Sequence, residues 1–172
     1  YSLQLIRNAL HNTDERLSSG KSVTPAFLFA ALLWPAIPAV AARLQADGMH
    51  PIPAIQEAAP IVLHRQLQRI AIPKRFSIPT KEIWGMQERF TRRSGNRADA
   101  LLAHPRFRAA YDFLLLRESA GEETGHLGEW WTVYQTRDEL QRRHMIRDLG
   151  TNGKKNRRPR KRRPNNQHKA ND

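Results

Sequence analysis

Apolar residues recur along this chain at the spacing of buried helix faces, and no segment shows the strict alternation of a half-buried strand. The strongest pattern lies at residues 104–117, where one face repeats at the spacing i, i+3, i+4, i+7, i+8. The residues on that face are Phe107, Ala110, Tyr111, Leu114 and Leu115. Ala109, Phe113 and Leu116 fall on the opposite side of the helical wheel. A helix that is apolar on two sides must be covered on both, so this segment is predicted to be the central helix of an all-α fold, beginning at Pro105.

The same periodicity predicts a compact body of about six to eight helices. Besides the central segment, they cover residues 2–17, 25–34, 39–45, a stretch that begins at residue 53, residues 79–93, a short helix before residue 104 and a last helix from residue 127. Pro60 is expected to kink or break the fourth of these, and residues 71–75 are expected to form a turn. Helical spacing assigns Trp130 and Trp131 to the core, whereas Trp84 is compatible with either core packing or base stacking.

Charge is distributed unevenly between this body and the C-terminal end of the chain. The formal net charge is +13, and residues 150–172 contribute +8 of it through nine Lys/Arg and one Asp. Because these residues include no large apolar side chain, we predict a helical body at residues 1–149 and a disordered basic tail at residues 150–172. So dense a cluster of cations points to a polyanionic partner, and nucleic acid is the commonest one.

Composition and motifs argue against several other classes of protein. The chain has no cysteine, which excludes a disulfide framework and is in keeping with a reducing compartment. It has no run of eighteen apolar residues, so no membrane span is expected. The first residue, Tyr1, already lies within an amphipathic pattern, which favours an excised segment of a longer protein.

No catalytic, cofactor-binding or metal-binding residue is predicted from the sequence. The chain contains no Asp-x-Asp pair, no Gly-rich phosphate loop and no His-Glu-x-x-His. Its seven histidines do not fall at metal-ligand spacing on any one predicted helix face. The Gly-Lys-Ser at residues 20–22 lacks an upstream glycine and a preceding strand, so we interpret it as a helix terminus.

Two surfaces are predicted to bind nucleic acid. One is the tail, whose candidate contacts are Lys154, Lys155, Arg157, Arg158, Arg160, Lys161, Arg162 and Arg163. The other is a folded basic patch that a helix–loop–helix arrangement could bring together, formed by Lys74, Arg75, Arg89, Arg92, Arg93, Arg97, Arg106 and Arg108. For any single arginine of this patch the alternative is an ordinary solvated helix surface.

Several short segments stand in an order that is typical of one family. They are Asn12-Thr13-Asp14 with Arg16, residues 25–31, residues 71–75, Ile83-Trp84 with Gln87 and Arg89, Arg92-Arg93, Gly95, Arg97-Ala98, residues 104–112 continuing to Leu116-Arg117, and Trp130-Trp131. Together with the Arg/Pro-rich tail they resemble the C-terminal half of bacterial poly(A) polymerases, which belong to the nucleotidyltransferase superfamily. The likeness is weakest at residues 39–68 and 121–128.

The resemblance implies a function for the chain as part of a larger enzyme. The family adds adenylate from ATP to RNA 3′ ends, using Mg²⁺ held by an Asp-x-Asp in an N-terminal head, and that motif does not occur here. The resemblance therefore implies the RNA-binding body and tail of a cytoplasmic mRNA-processing enzyme. This part would itself be non-catalytic and free of cofactors, and it would bind RNA 3′ ends largely without sequence preference.

Two alternatives remain open from the residues alone. The first is a stand-alone helical nucleic-acid-binding protein, either ribosome-associated or DNA-binding. The second is the C-terminal part of a tRNA CCA-adding enzyme, a related family that shares the chemistry of the head.

Overall fold

The structure is a computed structural model that describes residues 1–68 and 71–155. These residues form α1 (Ser2–Ser18), α2 (Pro25–Leu33), α3 (Ile37–Ala46), α4 (Pro51–Leu67), α5 (Lys74–Gln87), α6 (Arg97–Leu102), α7 (Phe107–Ser119), α8 (Leu127–Thr136) and α9 (Glu139–Lys155). Short 3-10 turns at Trp34–Ala36 and Glu88–Thr91 follow α2 and α5. The first of these turns joins α2 and α3 into one helical stretch, Pro25–Ala46, and no strand occurs in the described ranges. The all-α prediction is confirmed.

Helix α7 is covered on two sides, as its sequence predicts. Phe113 and Leu116 lie in one hydrophobic cluster with α1 to α4. Phe107, Tyr111 and Leu114 lie in a second cluster with α6 and α8. Burial of a large apolar side chain contributes roughly 1.5–3 kcal/mol of stability before entropy is counted. The two or three α7 side chains buried in each cluster therefore contribute several kcal/mol.

Helix α5 lies beside α7 and contributes to the same two clusters. Ile83 and Trp84 belong to the first cluster and Met86 belongs to the second, which Phe90 of the following 3-10 turn also joins. The Trp84 indole N–H donates to the carbonyl of Ala30 at 3.1 Å, so this fully buried residue is part of the core and does not stack bases.

The tryptophans of α8 also pack as their spacing predicts. Trp131 is fully buried, and its indole N–H donates to the carbonyl of Phe90 at 3.1 Å. Trp130 is half-buried and packs against the second cluster. The buried indole donors of Trp84 and Trp131 therefore have backbone partners, as most buried polar groups do.

The stretch Pro25–Ala46 is long and apolar enough to cross a membrane by length and composition, with a mean hydropathy of 1.8 over its most apolar window. The expectation that no apolar helix is long enough to span a membrane is therefore wrong. Pro35 and Pro38 do not separate the apolar segments of α2 and α3, which form one stretch of 22 residues. In the fold Trp34, Ile37 and Ala41 of this stretch are buried in the first cluster.

Several helix boundaries differ from the predicted ones. Helix α4 continues through Pro60 to Leu67, so the proline does not break it. An interior proline costs about 3 kcal/mol or more. Burial of Val62 and Leu63 beyond it is worth roughly 3–6 kcal/mol and offsets that cost. The predicted turn at residues 71–75 is cut short because α5 begins at Lys74.

Two more boundaries shift towards the C-terminal end of the chain. Helix α7 begins at Phe107, two residues after Pro105. Helix α9 runs to Lys155, past the expected end of helical structure near residue 147 and into the predicted tail. The rest of that tail, residues 156–172, lies outside the described residues.

A polar network ties the C-terminal end of α7 to its surroundings. Arg117 donates from Nη1 to Gln87 Oε1 at 2.8 Å and from Nε to Glu122 Oε2 at 2.9 Å, and its guanidinium lies 4.7 Å from the ring centre of Trp34. The hydroxyl of Tyr1 donates to the same carboxylate. Burial alone would raise the pKa of Glu122, but the hydrogen bonds and charge of Arg117 outweigh it and lower that pKa.

The start of α8 is held by Glu118 of α7. Its Oε1 accepts hydrogen bonds from the Gly128 backbone N–H at 2.8 Å and from the Thr124 hydroxyl. A carboxylate at a helix N-terminus satisfies a donor that has no partner within the helix. A Cβ at position 128 would come within 3.0 Å of the ends of the Glu118 and Leu115 side chains, which would have to shift to admit it.

Gly128→Ala is therefore expected to lower the free energy of unfolding by about 1–3 kcal/mol, because the Glu118 contact must be displaced. Gly85→Ala is the matched control, since its new methyl group would meet nothing within 4 Å and alanine favours the helix. Urea unfolding of both variants measures the difference. Equal effects of the two substitutions would contradict the role given to Glu118.

Glu122→Gln is expected to lower the free energy of unfolding by about 1–3 kcal/mol at pH 7. The folded state lowers the pKa of Glu122 below its ordinary value of 4.5. The contribution of Glu122 is therefore present above that value and is lost as the pH falls through the folded-state pKa. Urea unfolding between pH 7 and pH 3 should show the two proteins converging in acid. A constant difference over this range would argue against the ion pair.

Candidate nucleic-acid interface

Arg106 and Arg108 lie at the start of α7 and are the two predicted contacts that the structure brings to one cleft. Arg106 Nε is 3.0 Å from Glu82 Oε2, and Arg108 Nε is 3.0 Å from Asp112 Oδ1. Both side chains are exposed, at 47% and 75% of their surface, so these ion pairs orient the guanidinium groups and contribute little to stability.

Lys74 and Arg75 are exposed in the first turn of α5. The Arg75 guanidinium lies 4.9 Å from the ring centre of Phe76, which belongs to the half-buried rim of the first cluster. They lie at the opposite end of α5 from Arg89, Arg92 and Arg93, which follow its last residue, Gln87. Since an α-helix rises 1.5 Å per residue, α5 separates the two groups by about 20 Å along its axis.

The predicted row of Arg89, Arg92 and Arg93 on one outer helix face is wrong. The helix tightens into a 3-10 turn at Glu88–Thr91, and Arg92 has the non-helical angles φ −98° and ψ 79°. Arg93 is half-buried, and its guanidinium lies 4.8 Å from the ring centre of Trp130. Its Nε is buried without a hydrogen-bond partner, and burial lowers the pKa of the group. The sequence periodicity missed this because it assumed a continuous α-helix.

Arg93 is the first member of a stack in which two cations flank two aromatic rings. Trp130 stacks on Tyr134 with ring centres 4.6 Å apart, and the guanidinium of Arg142 lies 5.4 Å from the Tyr134 ring centre. Arg142 also donates from Nε to the Tyr134 carbonyl at 3.1 Å, which ties α9 to the end of α8. The Tyr134 hydroxyl donates to Asp99 at 2.7 Å, and burial followed by this bond raises its pKa. The stack is structural, because its rings face each other and the core.

The remaining predicted contacts are placed separately. Arg97 is exposed at the start of α6, where its Nη1 donates to Ser94 Oγ at 3.1 Å. Lys154 and Lys155 belong to the last turn of α9. Arg157, Arg158, Arg160, Lys161, Arg162 and Arg163 lie outside the described residues.

A cleft of about 1160 Å³ opens between the C-terminal half of α1, the loop at residues 19–24 and one face of α7. We call it the α1–α7 cleft. Four cationic side chains line it, Arg16 and Lys21 from one wall and Arg106 and Arg108 from the other. Its carboxylates are Glu15 and Asp112. The sequence analysis missed Arg16 and Lys21 as binding residues because they are distant from α7 in sequence.

Local geometry fixes the α1 wall of this cleft. Gly20 adopts a φ of +69°, which reverses the chain after α1, and the Lys21 N–H donates to the Arg16 carbonyl at 2.8 Å. Arg16 Nη2 donates to the Ser22 carbonyl at 3.2 Å and holds the loop against the helix. The interpretation of residues 20–22 as a helix terminus is confirmed.

The described residues offer binding chemistry rather than a metal centre. Within the described ranges, no group of three or more His, Cys, Asp or Glu could hold a metal ion. The nearest histidine–carboxylate pair of the cleft, His11 Nε2 and Glu15 Oε1 at 3.4 Å, is a two-residue contact on the exposed face of α1. What the cleft presents is guanidinium, ammonium, amide and hydroxyl groups, which are the donors that phosphate and sugar oxygens accept.

Comparison with known proteins identifies the family of this chain. Residues 47–165 match the family model described as the polymerase A arginine-rich C-terminus. The chain is 38% identical over 167 residues to poly(A) polymerase I of Escherichia coli O6:H1, and the match covers 94% of this chain and 36% of that protein. Poly(A) polymerase I of Salmonella typhi is 37% identical over the same shares of both proteins.

A more distant relative is matched in the same way. Poly(A) polymerase I of Haemophilus influenzae is 33% identical over 150 residues, which are 86% of this chain and 33% of that protein. The chain thus spans about a third of the length of the curated relatives it matches, and the resemblance seen in its sequence is confirmed. Because the family model covers more than half of the chain, this protein belongs to the polymerase A arginine-rich C-terminus family.

Proposed function

We propose that the chain is the RNA-binding C-terminal portion of a bacterial poly(A) polymerase, an enzyme that adds AMP from ATP to RNA 3′ ends. The observation that carries this proposal is the match along 94% of the chain to poly(A) polymerase I. The net charge of +13 supports it, because a surplus of Lys and Arg is what binding to phosphates requires. The role of the enzyme would be mRNA processing and turnover in the cytoplasm, and the lack of cysteine is in keeping with that compartment.

The chemistry of AMP transfer belongs, in this proposal, to a part of the polymerase outside this chain. The resemblance assigns ATP and Mg²⁺ to an Asp-x-Asp head, and the chain has no Asp-x-Asp. The acidic residues described above make structural contacts. Glu118 accepts a hydrogen bond from the start of α8, Glu122 pairs with Arg117, and Asp112 pairs with Arg108. These residues do not fit a two-carboxylate metal site, so no catalytic step is assigned to them.

The tail is expected to supply affinity for phosphate without sequence preference. Residues 156–172 contain seven Lys/Arg, and if about five of them contact a single strand the salt slope of log K is roughly −3.5. Raising the salt from about 50 to 200 mM should then cost on the order of a hundredfold in affinity for a fluorescent oligo(A). Deleting residues 156–172 should weaken binding at low salt and flatten this slope. Fluorescence anisotropy across a salt series measures both quantities.

A scrambled tail of the same composition is the control for this deletion. Contacts to phosphates depend on charge and not on residue order, so the scrambled tail should bind within about twofold of the natural one. A tail deletion with an unchanged salt slope would show that these residues do not contact phosphate.

The chain by itself is expected to add no AMP to an RNA primer in the presence of ATP and Mg²⁺. Gel analysis of a labelled primer checks this, with poly(A) polymerase I of Escherichia coli O6:H1 as the positive control. Robust primer extension by the chain alone would overturn the assignment of catalysis to another part of the polymerase.

A further inference from the structure

The α1–α7 cleft unites residues that the sequence keeps about ninety positions apart. We propose that it is the path of single-stranded RNA across this body, with phosphates bound by Arg16, Lys21, Arg106 and Arg108 and a base resting against Phe27. The inference rests on the proposed function and deepens it, because it names the strand form that is bound and adds Arg16, Lys21 and Phe27 to the contacts.

The size of the cleft suits a strand better than a single nucleotide. Its volume of about 1160 Å³ lies above the usual range of small-molecule pockets. The cleft wall on α1 extends from Asn8 to Ser18, which is about 15 Å at 1.5 Å per residue. A ligand that follows this wall must be extended.

The charges of the cleft leave a positive surplus that is already oriented. Four cations face two carboxylates. Arg108 meets Asp112 through Nε, whereas Arg106 meets, through Nε, a third carboxylate, Glu82, which lies outside the lining. With Glu82 counted, four cations face three carboxylates and one positive charge is left over. Since a guanidinium has five N–H donors, each retains donors that a phosphate oxygen can accept. The carboxylates hold these groups in place without using up their capacity.

The inner side of the cleft is apolar and aromatic. Phe27 is half-buried, and its ring meets Phe113 of the core edge-to-face at 5.9 Å. Ala109 and Leu116 of α7 also line the cleft. Exposed cations around a half-buried ring are the arrangement by which proteins hold single strands, whose bases are free to leave the backbone axis. A duplex keeps its base faces stacked inside and cannot use such a floor.

Two double variants, one inside the cleft and one outside it, test the site, and each removes two positive charges. Lys21→Gln with Arg108→Gln should weaken the binding of a fluorescent 20-nucleotide oligo(A) roughly tenfold and reduce its salt slope by about 1.4. Arg43→Gln with Arg65→Gln removes two exposed cations of α3 and α4 outside the cleft and should change affinity by less than about threefold. Anisotropy is measured on the full chain. Circular dichroism and thermal unfolding confirm that both variants keep the fold.

A substitution that is expected to strengthen oligo(A) binding tests the same site in the opposite direction. Asp112→Asn removes a carboxylate from the cleft and frees the Arg108 guanidinium, so it should strengthen oligo(A) binding about threefold. Asp47→Asn, an exposed residue beyond the cleft at the end of α3, makes the same change of charge and should have less effect. A fold defect cannot mimic a gain, so this pair remains informative if other variants are unstable.

Lysine footprinting locates the strand directly. Acetylation of Lys21, followed by mass spectrometry, should slow at least about fivefold when oligo(A) saturates the protein, and the exposed Lys81 of α5 should be unaffected. A duplex of the same length should protect Lys21 less than the single strand does.

The outcomes separate the two proposals. If the wild-type chain does not bind oligo(A), the proposed function fails. If it binds, but the two double variants weaken binding equally and Lys21 is not protected, RNA binding stands and the cleft assignment is overturned. Equal protection of Lys21 by duplex and single strand would overturn the assignment of a single-stranded ligand.

Discussion

The contact between α5 and α7 is the constraint on which the rest of the fold depends. Each of these helices carries apolar residues on two sides, so the pair contributes to both hydrophobic clusters. Gln87 is buried between them and donates to the carbonyls of Ile83 at 2.9 Å and Ala110 at 3.2 Å. Its Oε1 accepts from Arg117, so every strong polar group of this side chain is used. A misplaced α5 would cost Gln87 its bond to Ala110 and break the bond between Gln87 and Arg117.

This packing decides which arginines are available for a ligand. Arg117 is drawn inside by Gln87 and Glu122, and Arg93 and Arg142 flank the rings of Trp130 and Tyr134. These three arginines make contacts that are shielded from water, and such contacts contribute more to stability than an exposed ion pair does. An arginine-rich composition therefore does not translate residue by residue into a binding surface.

Arg106 and Arg108, at the start of α7, are among the arginines that stay accessible. Because α7 is covered on two opposite sides, its charged residues emerge on the flanks, and Arg106 and Arg108 emerge where α1 runs alongside. Arg16 and Lys21 reach the same cleft from the end of α1. Helix α7, which the sequence predicts as a packing element, thus also supplies one wall of the proposed RNA path.

The sequence by itself determined the helical class, the two-sided burial of α7 and the family, because these follow from local periodicity and from residue identities in order. It misplaced the row at Arg89, Arg92 and Arg93, because a 3-10 turn changes the angle between successive side chains. Only the tertiary structure decided that Arg16 and Lys21 face Arg106 and Arg108. That juxtaposition is set by how α1 packs on α2 and α7 through its buried residues Leu5 and Ala9. Such contacts between distant segments are not contained in the periodicity of any one helix.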